Sequence, residues 1–226
     1  MEHEPRGIKE TASSIPQGPQ RVAYTIGHST RSLEEFLGLL QAQGIELLLD
    51  VRTVPRSGRN PQFNSDTLPQ VLQSAGIEYR HLAELGGLRK PRPDSANLGW
   101  RNSSFRGFAD YMQSEAFRAA LVSLRQEAER RVICLMCAEA LPWRCHRSLI
   151  GDALLVQGIS VENIFGPGKV VSHRMTPFAK VDGPTVTYPA QPSEGTPAFL
   201  DRDSATLGVQ ANSSRRNPPE QADRHD

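Results

Sequence analysis

"RVICLMCAEALPWRCHRSLIG", Arg131 to Gly151, is the stretch on which the reading of the fold turns. Its first six residues form an apolar run of the length and composition expected of a strand covered on both faces. A helical pattern, Leu149 to Gln157, takes over at its end. Between the two lie Cys137, Glu139, Arg144, Cys145, His146 and Arg147, an unusual density of reactive and charged groups for a connection between two buried elements. A buried strand that runs through a short loop into a helix is half of a βαβ unit, and such units build parallel sheets.

The same alternation extends outward in both directions. "RVAYTIG" (21–27) reads as a strand, and Ser32 with Glu35 is a capping box before Leu33, Phe36, Leu37 and Leu40 at helical spacing. Gly44 suits the helix stop. "IELLLDV" (45–51) is nearly all apolar, as a central parallel strand must be. Ser65 is placed to cap a helix that buries Leu68, Val71, Leu72 and Ala75, and "IEYRHL" (77–82) is the third strand. A long Gly-, Arg- and Pro-rich loop (83–104) leads to helices around Phe105–Met112 and Phe117–Leu124. After the quoted stretch, "SVENIF" (160–165) is the fifth strand. The expected fold is α/β: an open, mostly parallel five-stranded sheet with helices on both faces, flanked by disordered or extended tails.

The polar leader (1–20) and the Pro-rich region (172–226) lack clustered apolar residues, so a single domain is expected over 21–171, with a largely disordered C-terminal tail. Part of 177–188 has enough apolar character to lie against that domain. The net charge is +1, which argues against a broadly basic nucleic-acid binder but leaves room for a local basic pocket. No apolar run reaches the roughly 20 residues that cross a bilayer. All three cysteines fall between Cys134 and Cys145, a poor disulfide framework, so reduced thiols and a cytoplasmic setting are expected, with no membrane partner.

In open α/β sheets, ligands bind beyond the carboxyl ends of the strands. That rule gathers His28, Ser29 and Thr30 from the first strand, and Asp50, Arg52 and Arg56 from the second. The fourth contributes Cys137, Glu139, Cys145, His146 and Arg147. Cys137, His28, His146 and Glu139 are the candidate catalytic groups; the others are candidate ligand contacts.

The same residues carry a family resemblance. "YTIGHST", "DVR", the P-x-S and P-x-F pieces in 55–63, "LGG", F-x-x-YM, "CAE" and "CHR" occur here in order. They resemble the family known as domain of unknown function 488, over about 23–165. The resemblance implies that "TIGHST", "DVR", "CAE" and "CHR" are signature positions, and it implies no reaction. The fifth strand departs from that pattern, ending "ENIFGPGK" where the family usually carries a histidine.

Each side chain has a plain reading beside the chemical one. Cys137, the first residue past a strand, is placed as a nucleophile would be; Cys145 lies beside His146 and Arg147, which would lower its pKa; either could equally be a small buried hydrophobe. Cys134 lies inside the strand and, at a period of two, faces away from Cys137, so "CLMC" is not a thioredoxin-like pair. The histidines either move protons near neutrality or hydrogen-bond to backbone at turns. Asp50 either orients Arg52 or caps a strand end. Arg52, Arg56 and Arg147 together suit a phosphate or carboxylate. No cofactor is expected, and a zinc or iron on Cys137, Cys145 and His146, with Glu139 or His28, is a minor alternative. "GPGK" lacks the flanking residues of a phosphate loop, and no dinucleotide fingerprint follows the first strand. The expected function is an anion-binding pocket that takes a phosphorylated or nucleotide-like small molecule, with a cysteine-dependent hydrolase or transferase activity. The alternative is a non-catalytic nucleotide or nucleic-acid binding module that uses the same arginines and the loop at 88–93.

Overall fold

The structure is a computed structural model, and it describes residues 21–191. Strand and helix alternate as the sequence pattern predicts: β1 (Val22–Gly27), α1 (Leu33–Ala42), β2 (Leu47–Asp50), α2 (Leu68–Ser74), β3 (Glu78–His81), α3 (Ser103–Tyr111), α4 (Glu115–Ala128), β4 (Ile133–Cys137), α5 (Arg147–Val156) and β5 (Ser160–Gly166). A sixth strand, β6 (Lys169–Ser172), adds antiparallel to β5, and the sheet order is β3-β2-β4-β1-β5-β6. The "GPGK" segment is the turn of that hairpin, with Gly168 at a φ of +65°.

Local chemistry sets the helix boundaries. The Ser32 side chain accepts from the Glu35 backbone N–H at 3.1 Å, so the capping box is formed on its serine side. Gly44 sits at a φ of +62°, which ends α1 at little steric cost. Ser65 does not cap α2. The helix begins only after Thr67, with Pro69 in its first turn, because proline needs no hydrogen-bond acceptor there.

Two apolar layers enclose the sheet. Phe36, Leu40, Leu72, Leu48, Cys134 and Met136 form one side, under α1 and α2. Leu47, Leu49, Leu135, Phe108, Leu121, Leu149 and Leu154 form the other, under α3, α4 and α5. Successive residues of β2 and β4 therefore alternate between layers, and all of β2 is buried. From adjacent strands, β1 leads through α1 to β2 while β4 leads through α5 to β5. These connections run in opposite directions on opposite faces, which makes the carboxyl ends of β1 and β4 the switch point of the sheet, where ligands of such folds bind.

The packed unit runs on to Gln191, beyond the boundary expected at Val171. A hairpin of β7 (Lys180–Asp182) and β8 (Thr185–Thr187) brings Val186 and Tyr188 into the α5 layer, both almost wholly buried. The Tyr188 hydroxyl donates to Asp152 at 2.9 Å, and its backbone N–H donates to Asn97 at 2.8 Å. A segment this rich in proline has no core of its own. It is held by lending a valine and a tyrosine to a core already built, each such burial contributing about 1.5–3 kcal/mol. The leader expected over 1–20, and the part of the tail beyond Gln191, lie outside the described residues. No helix among those residues is long and apolar enough to cross a membrane.

Candidate active site

The β1–β4 pairing continues past the strand ends. The backbone N–H groups of His28 and Ser29 donate to the carbonyls of Cys137 and Ala138 at 2.9 and 3.0 Å. Any Cβ at Gly27 would lie 2.0 Å from the Glu139 carbonyl oxygen, so only glycine lets the 138–140 loop fold over β1. Ser29 takes a φ of +50°, a conformation rare outside glycine, and the tight turn out of β1 depends on it.

One buried arginine closes the end of β2. Arg52 donates from Nε and one terminal nitrogen to the Asp50 carboxylate, at 2.6–3.1 Å, and from that same terminal nitrogen to the Phe63 carbonyl at 2.7 Å. Its other terminal nitrogen lies 3.3 Å from Nε2 of His28. The Tyr79 hydroxyl also donates to Asp50, at 2.8 Å. Burial works against the guanidinium charge, but the Asp50 carboxylate outweighs it and the Arg52 pKa rises.

His28 faces this cation with Nε2 as acceptor, leaving Nδ1–H to donate to the Ser29 carbonyl at 2.9 Å. Its ring stacks on Phe63 with centroids 4.4 Å apart. Burial, followed by the adjacent guanidinium groups, lowers its pKa to about 4, so the imidazole is neutral at pH 7. Expected as a proton shuttle, His28 is placed instead to orient Arg52.

The second buried arginine is bound quite differently. Arg147 opens α5 and is 1% exposed. Its Nε lies 3.4 Å from the Cys145 sulfur, one terminal nitrogen reaches the Thr25 hydroxyl at 3.4 Å, and the other donates to the Glu139 carbonyl. Among the described residues it has no carboxylate partner. A buried cation needs an anion, and the sulfur of Cys145 is the group in position to be one.

The surroundings of the thiols agree. Cys145 precedes α5 in an extended conformation, and its sulfur lies 3.7 Å from Nδ1 of His146. Nε2–H of His146 donates to the Val51 carbonyl at 3.0 Å, which leaves Nδ1 to face the sulfur. The neighbouring Cys137 sulfur, within 4.8 Å, and the Arg147 and His146 contacts hold the Cys145 pKa well below the ordinary thiol range, against the effect of burial. The nearness of Cys145, together with burial, pushes Cys137 well above it. Cys134, in the opposite layer, is fully buried and its pKa is raised.

A cavity of about 560 Å³ opens above these groups. His28, Arg52, Cys137, Glu139, Cys145 and His146 line its inner part, Val54, Leu88 and Phe105 form an apolar wall, and Arg56 and Arg144 stand near its mouth. Arg56 is largely exposed, with a loose 3.7 Å contact to Asp66. Arg144 is exposed and has no ion-pair partner among the described residues. Glu139 accepts from the Leu141 N–H at 3.3 Å, a loop-capping role.

Of the residues expected at the site, the cavity thus collects His28, Arg52, Arg56, Cys137, Glu139, Cys145 and His146. Ser29, Thr30, Asp50 and Arg147 do not line it. Asp50 and Arg147 support residues that do. The "LGG" signature is also explained. A Cβ at Gly86 would lie 2.7 Å from the Thr53 hydroxyl, and one at Gly87 2.4 Å from Nδ1 of His146, so the loop after β3 packs bare backbone against the site.

The sequence reading did not single out Phe63, Tyr79, Thr25, Val54 or Phe105 as site residues. Phe63 and Thr25 carried a signal, as part of the P-x-F piece and of "TIGHST"; the other three carried none.

The sulfurs of Cys137 and Cys145 and a ring nitrogen of His146 lie within 4.8 Å of one another, close enough to grip a soft metal ion. Cys145 lies outside the helix in an extended conformation, which lets its sulfur and the His146 ring share one space. The set still offers three donors with a guanidinium 3.4 Å from one of them, and that positive charge opposes a cation.

Comparison with protein families matches residues 32–154 to the Domain of unknown function DUF488. The chain belongs to this family. The matched span begins at the cap of α1 and ends within α5, so it includes "DVR", "LGG", "CAE" and "CHR" but not "TIGHST". No curated protein and no solved structure matches the chain.

Proposed function

We propose that this protein is a cytoplasmic, thiolate-dependent enzyme, a transferase or hydrolase, acting on a small anionic molecule of phosphorylated or nucleotide-like character. Cys145 is the nucleophile. The observation that carries this reading is the buried Arg147 guanidinium, which has the Cys145 sulfur beside it and, among the described residues, no carboxylate partner. A thiolate is the active form of cysteine, and a neighbouring cation is a standard means of maintaining it at neutral pH. The sequence pattern pointed first to Cys137 at the strand end. The packing favours Cys145, because the Arg147 guanidinium and Nδ1 of His146 both face its sulfur.

The rest of the cavity supports a ligand with two ends. Arg56 and Arg144 attract an anion at the mouth, and Arg52 has one N–H beyond its bonds to Asp50, Phe63 and His28. Val54, Leu88 and Phe105 give a flat apolar body a surface to rest on. A nucleic-acid module is less well supported. Arg92 is paired with Asp94, and Arg89 is held over the Tyr111 ring by the Glu84 and Gly86 carbonyls, so neither guanidinium of the 88–93 loop is poised to turn onto a phosphate backbone, which leaves that task to Lys90.

The test is iodoacetamide alkylation of each cysteine as a function of pH, with and without inorganic phosphate or nucleoside monophosphates. Cys145 should react fastest at pH 7 and be protected by the anions. A Cys145 no faster at pH 7 than an ordinary thiol would refute the reading. Steep weakening of ligand affinity with added salt would favour the nucleic-acid module instead.

A further inference from the structure

Cys137 remains without a task. It is a half-buried thiol lining the cavity, next to the sulfur that carries the negative charge, and it is not itself the nucleophile. We propose that Cys137 is the resolving thiol of Cys145, and that the two close into a disulfide when a small hydroperoxide oxidises Cys145. This rests on Cys145 being the thiolate.

The geometry sets the two sulfurs side by side. The two sulfurs lie within 4.8 Å of each other, and rotation of the side chains must bring them to about 2.05 Å. The backbone is tied on both sides. The Cys137 carbonyl accepts from the His28 N–H at 2.9 Å, and the Cys145 carbonyl accepts from the Ser148 N–H and hydroxyl at 3.1 and 2.9 Å. Cys134 cannot compete, because its sulfur is enclosed in the opposite layer. The oxidant must be small, since Cys145 is only 5% exposed and is reached through the cavity.

The chemistry balances in two steps. The Cys145 thiolate attacks one oxygen of the hydroperoxide; a sulfur–oxygen bond forms, the oxygen–oxygen bond breaks, and the alkoxide or hydroxide that leaves takes a proton from water. The Cys137 sulfur then attacks the sulfenic sulfur of Cys145. A sulfur–sulfur bond forms, the sulfur–oxygen bond breaks, and the departing hydroxide leaves as water with the Cys137 proton. The cysteine pair loses two electrons and the hydroperoxide gains them; an external dithiol reverses the change.

Arg147 sets the character of this disulfide. Oxidation removes the thiolate that neutralises the guanidinium, so the reduced state is favoured and the disulfide is readily reduced, as befits a switch or a catalytic intermediate rather than a structural staple.

The experiment uses the reduced full-length protein, equimolar hydrogen peroxide, and trypsin under non-reducing conditions. Cleavage after Arg144 separates the two cysteines, so a disulfide appears as the 132–144 peptide joined to the 145–147 peptide. The joined species should form in the wild type and in Cys134→Ala, and be absent from Cys137→Ser, where dimedone should instead label Cys145. A dimedone-labelled Cys145 in the wild type with no joined peptide, or loss of the joined peptide in Cys134→Ala, overturns the proposal. Alkylation of the same reduced sample at pH 7 separates the two ideas: fast Cys145 without a joined peptide ends only the resolving role, whereas slow Cys145 ends both.

Discussion

Arg52 and Arg147 lie at the same edge of one sheet, both almost wholly buried, yet they are neutralised in different ways. Arg52 has a carboxylate two residues away, fixed by a second donor from Tyr79, and forms a closed ion pair that supports the inner end of the cavity. Arg147 has backbone oxygen, a threonine hydroxyl and a thiol. An aspartate beside an arginine is spent, because its charge is satisfied within the fold. A cysteine beside an arginine holds its charge on a nucleophilic atom that lines a cavity. The difference marks one pair as framework and the other as the place where chemistry is expected.

The largest effect should come from breaking the framework pair. Asp50→Asn leaves the Arg52 guanidinium buried without an anion and should cost about 3–5 kcal/mol in urea unfolding. A loss below 1 kcal/mol would show that Arg52 is more solvated than the packing indicates.

His28 should impose the next effect, through pH. Its folded pKa of about 4 lies below the unfolded value of 6.5, so the unfolded chain binds the proton first. Its stabilising contribution is complete above pH 6.5 and falls away as the pH drops through 4, by about 3 kcal/mol in all. His28→Gln should be less stable at pH 7 and flatten that part of the stability–pH curve; an unchanged slope would place the titration elsewhere.

The chemical pair is tested by Arg147→Met, which removes the cation and retains apolar bulk. The Cys145 pKa should rise, and its alkylation at pH 7 should slow by about tenfold or more, a change of about 1.4 kcal/mol per pKa unit. Alkylation as fast as in the wild type would transfer the credit to Cys137 and His146. Stability carries the same signature. A depressed Cys145 pKa stabilises the fold fully above the unfolded thiol value near 9, and loses that contribution as the pH falls through the folded value. The advantage of wild type over Cys145→Ser, measured by urea unfolding, should therefore shrink on acidification.

The smallest effect on stability belongs to the rim. Arg144→Ala should shift unfolding by no more than about 0.5 kcal/mol, since the side chain is exposed and has no ion-pair partner among the described residues. Protection of Cys145 by phosphate should weaken nonetheless. Protection unchanged in this variant would leave Arg56 and Arg52 as the anion contacts.

Much of this was legible along the chain because periodicity is local. The all-apolar β2, the capping box at Ser32 and the carboxyl-edge rule together put Asp50, Arg52, Cys137, Cys145 and His146 at one end of one sheet before any coordinate was known. The edge of the sheet and the C-terminal hairpin were harder to read. Strand β6 is short and mostly exposed, and Tyr188 is buried only because α5 supplies Asp152 across the fold, a contact that leaves no periodic trace. Tyr79 escaped for the same reason, and so did the roles of Phe63 and Thr25, since each serves the site through a partner on another segment.

The order of residues by itself determined the α/β sheet, the edge that holds the site and the residue types gathered there, because strand and helix periods are written in neighbouring positions. Only the tertiary structure decided how those residues divide the work. Which arginine faces a carboxylate and which faces a sulfur depends on distances between segments, and electrostatic energy in a buried site follows distance through space rather than separation along the chain.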